Sequence, residues 1–109
     1  FHGDKKSWKL VTCLRGEVLC VIVDFRSNSR NYLKYAAFKL NDKNKMSVLL
    51  PPMFLNSFLC LSKEALYGYK LSYKGGYVDA NEQISVKWND QKINYKWPIK
   101  KPILSKRDK

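Results

Sequence analysis

The stretch WKLVTCLRGEVLCVIVDFR, residues 8–26, decides the fold. Its apolar residues recur with a period of two, the spacing of a strand whose successive side chains point to opposite faces. Arg15 and Gly16 interrupt it with a turn signal, so it reads as two strands, Trp8–Leu14 and Glu17–Phe25, folded back on each other. Parity sorts the first strand: Lys9, Val11 and Cys13 share one face, while Trp8, Leu10, Thr12 and Leu14 share the other. Lys9 is then the one charge on an otherwise apolar face. Either it reaches to solvent along its methylenes, as lysines at strand starts often do, or it stands in the mouth of a barrel. In the second strand the run Val18 to Val23 is apolar on both faces, which requires cover on both sides. A 109-residue barrel has one interior, so the second cover is expected from a second subunit, making the protein a homodimer.

Working outward, Tyr35–Leu40, Met46–Leu50, Ser57–Leu61, Leu66–Lys74 and Ile84–Trp88 also read as strands. Turn-forming residues separate them: SNSRN at 27–31, NDKN at 41–44, Pro51-Pro52, and KGG at 74–76. No segment of a dozen residues carries a helical stripe. The fold class is therefore all-β, and seven strands imply a sandwich or barrel of antiparallel strands. After Asp90, Pro98 and Pro102 forbid regular helix and predict an extended tail packed by Ile99, Ile103 and Leu104, able to carry Asp108 back to the first strand.

Residues 1–109 read as one domain, with no apolar run of about 18 residues to span a membrane and no secretory leader, so a cytoplasmic protein is expected. The formal charge is +12 from 21 basic and 9 acidic residues, the kind of footprint that nucleic-acid binders carry. Here the lysines are scattered, and no recognition helix, zinc finger or glycine-rich RNA-binding signature accompanies them. The charge is better matched to an anionic small molecule and to solubility than to nucleic acid. Cys13, Cys20 and Cys60 lie in apolar runs without Cys-x-x-Cys spacing, and are expected to be buried free thiols. A metal site would need a His and Cys ligand set that this chain does not supply.

The chemistry-bearing residues lie at the two ends. His2 opens the chain in FHGD, Asp108 closes it in PILSKRD, and Lys9 follows the only histidine by seven residues. An imidazole, a carboxylate to orient it and a cation beside a developing oxyanion are the parts needed to take a proton from carbon next to a carbonyl. A second pattern lies at 66–73, where Tyr67, Tyr69 and Tyr73 fall on one strand face. That is either an aromatic ladder or a source of one inward phenol for acid catalysis.

The strings WKLVTCLRGEVLCVIVDFR, LLPPMFLNSFLCLS, YKLSYKGGY, VKWND and PILSKRD occur in the order, and at nearly the spacing, of the dTDP-4-dehydrorhamnose 3,5-epimerase family of nucleotide-sugar epimerases. The chain resembles that family over essentially its whole length. HGD and PPMFLN resemble most a branch that includes capsule-pathway enzymes acting on GDP-linked 4-keto-6-deoxy heptoses. The resemblance implies a cupin-type jelly roll, a dimer, no metal or organic cofactor, and family strands lying upstream of Phe1. It implies that His2 is the base, that Asp108 holds its tautomer, that Lys9 binds the enolate oxygen, and that Tyr69, which precedes Lys70 as the family's catalytic Tyr precedes its Lys, is the acid. It further implies substrate contacts from Asn56, Tyr77, Lys106 and Arg107, the last two toward the diphosphate. Two departures bear on the sugar: Asn56 stands where the rhamnose-type enzymes carry a second His, and the chain is about three residues longer around Gly75 and Gly76. A non-catalytic sugar-nucleotide-binding jelly roll is the alternative, because a fold does not fix a function.

Overall fold

Eight antiparallel strands form two facing sheets in the computed structural model, which describes residues 1–77 and 81–109. They are β1 (His2–Gly3), β2 (Trp8–Arg15), β3 (Glu17–Asp24), β4 (Tyr35–Asn41), β5 (Ser47–Leu50), β6 (Phe54–Cys60), β7 (Leu66–Ser72) and β8 (Ile84–Ser85). One sheet has the order β4-β3-β6-β1-β8 and the other β5-β2-β7. A 3-10 turn at Lys106–Asp108 is the only helical element among the described residues.

The tight link between β2 and β3 depends on Gly16, whose φ of +81° suits glycine and whose missing Cβ would otherwise collide with the Glu64 carbonyl. From there parity does the sorting. Val11 and Cys13 of β2 meet Val18 and Cys20 of β3, with Leu40 and Leu50, in a core between the sheets. Trp8, Leu10 and Leu14 face outward and stay exposed, as the alternation requires. The other side of β3 presents Leu19, Val21 and Val23 to a second core containing Phe1, Leu55 and Ile93, on which Tyr95 and Trp97 pack. Burial of each such Val or Leu contributes about 1.5–3 kcal/mol. The double cover that β3 needs is thus present, but the chain supplies it from its own ends. The apolar run of β3 is no reason to invoke a second subunit.

Several local expectations are corrected. The strand β1 was not foreseen, since two residues show no period. The strand β6 starts at Phe54 and not Ser57, because Met53, at a φ of +68°, completes the turn after Pro51-Pro52 and returns the chain early. The strands β7 and β8 stop at Ser72 and Ser85, short of Lys74 and Trp88. The tail is held by Ile93, Tyr95 and Trp97, whose indole donates to the Trp88 carbonyl at 2.7 Å. Ile103 is fully exposed, because extended backbone alternates its side chains and Pro102 and Leu104 take the inward positions. Cys13 and Cys20 are buried, but Cys60 is exposed: the short β1 pairs β6 only at Asn56, leaving the end of β6 open on that side.

The loop after β3 closes on Asp24, which is 3% exposed. Its carboxylate accepts from Arg26 Nε at 3.0 Å and Nη2 at 2.8 Å, from Ser29 Oγ at 2.7 Å and from the Arg26 amide at 3.0 Å. These donors hold its carboxyl well below the usual carboxylate range.

Candidate active site

The strand β1 is two residues long yet is held on both sides. Phe1 donates to and accepts from Val86, both at 2.8 Å, and His2 pairs with Asn56 of β6 and Ser85 of β8. Gly3 permits this fit, for a Cβ there would lie 2.7 Å from Leu55 Cδ2 and 2.8 Å from the Phe54 carbonyl. The His-Gly dipeptide is therefore a structural unit: glycine lets the strand lie flat on β6, and the histidine beside it takes a fixed direction.

His2 Nε2 is 2.6 Å from Asp108 Oδ1, closing a contact between residues 106 apart in sequence. The other ring nitrogen, Nδ1, is 2.8 Å from Ser85 Oγ. Asp108 Oδ2 accepts from Ser105 Oγ at 2.6 Å, which ties the carboxylate to the start of the 3-10 turn. Burial lowers the His2 pKa, with the hydrogen bond to Asp108 opposing it. Asp108 is shifted down; burial opposes that shift, and hydrogen bonds from Ser105 and His2 outweigh it. The pair is thus a neutral imidazole held by an ionised carboxylate, the form that can accept a proton.

A cavity of about 330 Å³ opens between the sheets, touching this pair's neighbours: Asn56, the cross-strand partner of His2, and Arg107, which precedes Asp108. Lys9 and Val11 of β2, Asn56 and Phe58 of β6, Tyr67, Tyr69 and Leu71 of β7, and Tyr77, Gln83 and Arg107 from the connecting segments line it. Burial lowers the Lys9 pKa, and Asp4 works against that shift. Lys9 thus lines the cavity beside Val11, with which parity grouped it, and this decides between the solvent and barrel-mouth positions that parity left open. Arg107 Nη2 donates to Gln83 Oε1 at 2.5 Å, anchoring the tail at the cavity rim. Of the residues singled out from sequence, Lys9, Asn56, Tyr69, Tyr77 and Arg107 are brought together here. His2 is not among the lining residues, although its pairing with Asn56 sets both on the same face of the sheet, and Lys106 is exposed outside. A larger groove of about 490 Å³ runs between the tail and β6 and reaches Asp108, but its walls hold Phe1, Trp97 and Leu104 and none of Lys9, Asn56 or Tyr69. Among the described residues no group of three His, Cys, Asp or Glu side chains could hold a metal ion.

Two side chains to which sequence reasoning gave no role of their own belong to this site. Tyr67 lies deeper than Tyr69, which is 61% exposed; its ring stacks on Phe58 with centroids 4.4 Å apart, and its hydroxyl accepts from Asn56 Nδ2 at 3.4 Å. Burial pushes its phenol well above the ordinary value and, beside it, pushes Cys20 up to about 11. The shared parity of the tyrosines was its only signal. Ser85 had none, because a serine in a predicted strand carries no pattern of its own.

The family model for dTDP-4-dehydrorhamnose 3,5-epimerase matches residues 1–109. The chain belongs to that family. It is 35% identical over 100 residues to the dTDP-4-dehydrorhamnose 3,5-epimerase of Shigella flexneri, covering 92% of this chain and 54% of that one. The dTDP-4-dehydrorhamnose 3,5-epimerase from Bacillus anthracis, solved with TDP and PPi bound, superposes with a TM-score of 0.90 at 30% identity, over 98% of this chain and 61% of that one. A 4-keto-6-deoxy sugar epimerase from the novobiocin gene cluster of Streptomyces spheroides gives 0.89 at 32% identity, over 98% and 54%. The chain therefore spans just over half the length of these three relatives. With these epimerases it shares the cupin-like jelly roll, whose two sheets here carry the cavity between them.

Proposed function

We propose that the protein epimerises a nucleotide-linked 4-keto-6-deoxy sugar at the carbons beside its ketone, C3, C5 or both. The observation that carries this reading is the 2.6 Å His2–Asp108 pair, set next to a cavity with Lys9 on its wall. The C4 ketone acidifies the neighbouring C–H bonds. His2 takes the proton, the C–H electron pair moves through the new C=C bond onto O4, and Lys9 stabilises the enolate oxygen. Tyr69, on the opposite strand, returns a proton to the other face of the carbon, and the ketone re-forms with the configuration inverted. No step consumes an oxidant, a metal or an organic cofactor.

Asn56 and Tyr77 then contact the sugar, and Arg107, with Lys106 beside it, receives the diphosphate. HGD and PPMFLN favour a substrate from capsule or other surface-polysaccharide synthesis, with a GDP-linked heptose as the first candidate, made in the cytoplasm. No helix among the described residues is long and apolar enough to cross a membrane. A homodimer is supported by the outer face of the β5-β2-β7 sheet, where Trp8, Leu10, Leu14, Leu49 and Leu66 are exposed.

Incubating the full-length protein with dTDP- and GDP-linked 4-keto-6-deoxy sugars in deuterated water tests the reading. Deuterium at C3, C5 or both, read by NMR, supports it and gives the regiochemistry. Tyr69→Phe is expected to exchange deuterium while yielding little inverted product; full inversion by that variant removes Tyr69 from the acid role. Tight binding without exchange by the wild type would leave a sugar-nucleotide-binding protein instead, a reading favoured only by the absence of His2 from the cavity lining.

A further inference from the structure

Asp108 engages one nitrogen of His2, and Ser85 engages the other. An ionised carboxylate only accepts hydrogen bonds, so the ring proton sits on Nε2 and the lone pair on Nδ1. The Ser85 hydroxyl at 2.8 Å then donates to Nδ1, the one nitrogen able to receive a proton. We propose that Ser85 is a positioning residue for the base: together with Asp108 it fixes the His2 tautomer and ring plane from the opposite side, and keeps Nδ1 bare of protons until substrate arrives. This rests on the reading of His2 as the base.

The backbone brings the two side chains within reach of each other. His2 and Ser85 are direct cross-strand partners, and partners in an antiparallel pair hold their Cβ atoms about 4.5–5.5 Å apart. A serine hydroxyl turns about a single bond, so it can leave Nδ1 when a C–H bond approaches without moving the strand. A side chain longer than a hydroxymethyl on β8 would not clear Nδ1 by one bond rotation.

A hydrogen bond donated to the neutral imidazole favours that form and lowers proton affinity. The charged and titratable groups acting on His2 are Asp108 and Arg107 from the tail and the α-amino group of Phe1 on its own strand; β6 offers only the uncharged Asn56. Among its strand neighbours Ser85 is the one that reaches the ring directly. Its removal should raise the His2 titration midpoint.

The test uses the full-length protein labelled with 15N-histidine, His2 being assigned by difference with His2→Gln. In Ser85→Ala the midpoint should move to higher pH, ring signals of the second tautomer should appear, and the acid limb of deuterium exchange should move up with the midpoint, for a several-fold loss of rate on the acid side. Ser85→Thr should restore all three, and Ser85→Cys, a weaker donor of similar size, should fall between. Unchanged midpoint and tautomer in a folded Ser85→Ala protein would overturn the proposal. If both change while His2→Gln still exchanges deuterium, Ser85 keeps its positioning role and His2 loses its role as base.

Discussion

Two carboxylates show how differently the same chemistry can be used in this molecule. Asp24 takes its donors from residues two and five positions away and is 3% exposed; Asp108 takes its imidazole from 106 positions away and has a side chain 35% exposed. Both have lowered pKa values. Asp24 is satisfied by its own turn, and once the turn closes its charge has nothing further to do than hold Arg26 and Ser29. Asp108 takes Ser105 from its own turn but meets His2 only when the two ends of the chain dock, and that partner is an imidazole with a side chain 20% exposed. A depressed carboxylate pKa is therefore not by itself a mark of function; the mark is a partner that can change protonation state.

The largest effect expected from this difference is at His2. His2→Gln should lower deuterium exchange by about 10²- to 10⁴-fold, the usual worth of a positioned general base, while leaving the denaturant midpoint nearly unchanged. An equal loss of stability would break the comparison. Asp108→Asn should lose less, because the amide still contacts the ring but cannot stabilise the imidazolium, and its pH–rate profile should shift where that of Asp24→Ala does not.

At Asp24 the outcome should reverse. Asp24→Ala removes a charged acceptor from four donors and should cost about 1.5–3 kcal/mol of stability, measured by urea titration, with the exchange rate per folded molecule unchanged. Loss of activity at full stability would mean that the loop after β3 reaches the site by a route not seen in the structure.

Acid titration gives the smallest and finest test. The Asp24 pKa is depressed in the folded state, so its stabilisation is fully present above the unfolded carboxylate value of about 3.9 and is lost as pH falls from there toward the folded value. The His2 pKa is lowered by burial, so its base form persists below the free-imidazole value of about 6.5 and activity fails only under that pH. Activity should thus disappear in a protein that is still folded, and circular dichroism should report unfolding only at more acidic pH. Coincident loss of both would tie the site to the stability of the turn.

Much of this was legible because period-two patterning acts locally. The parity of Trp8–Leu14 grouped Lys9 with Val11 and Cys13 on one face, and the run Val18–Val23 demanded a strand covered twice, both of which the structure contains. The same reasoning named the wrong source of cover, since nothing in a local pattern says which distant segment arrives. It likewise gave equal standing to Tyr67, Tyr69 and Tyr73, although Tyr67 is held by Asn56 and Phe58 in the cavity, whereas Tyr73 sits under Lys6 outside its lining.

By itself the sequence determined the all-β class, most of the strands, the parity that sorts their side chains, the turn at Gly16 and the types of side chain available for proton transfer, because side-chain alternation and turn geometry depend on neighbours in the chain. Only the tertiary structure decided that Ile93, Tyr95 and Trp97 cover β3, that Asp108 meets one nitrogen of His2 and Ser85 the other, and that Lys9, Asn56, Tyr67 and Arg107 share one cavity. These contacts join segments tens of residues apart, and their partners are selected by the packing of two whole sheets, which no single segment encodes.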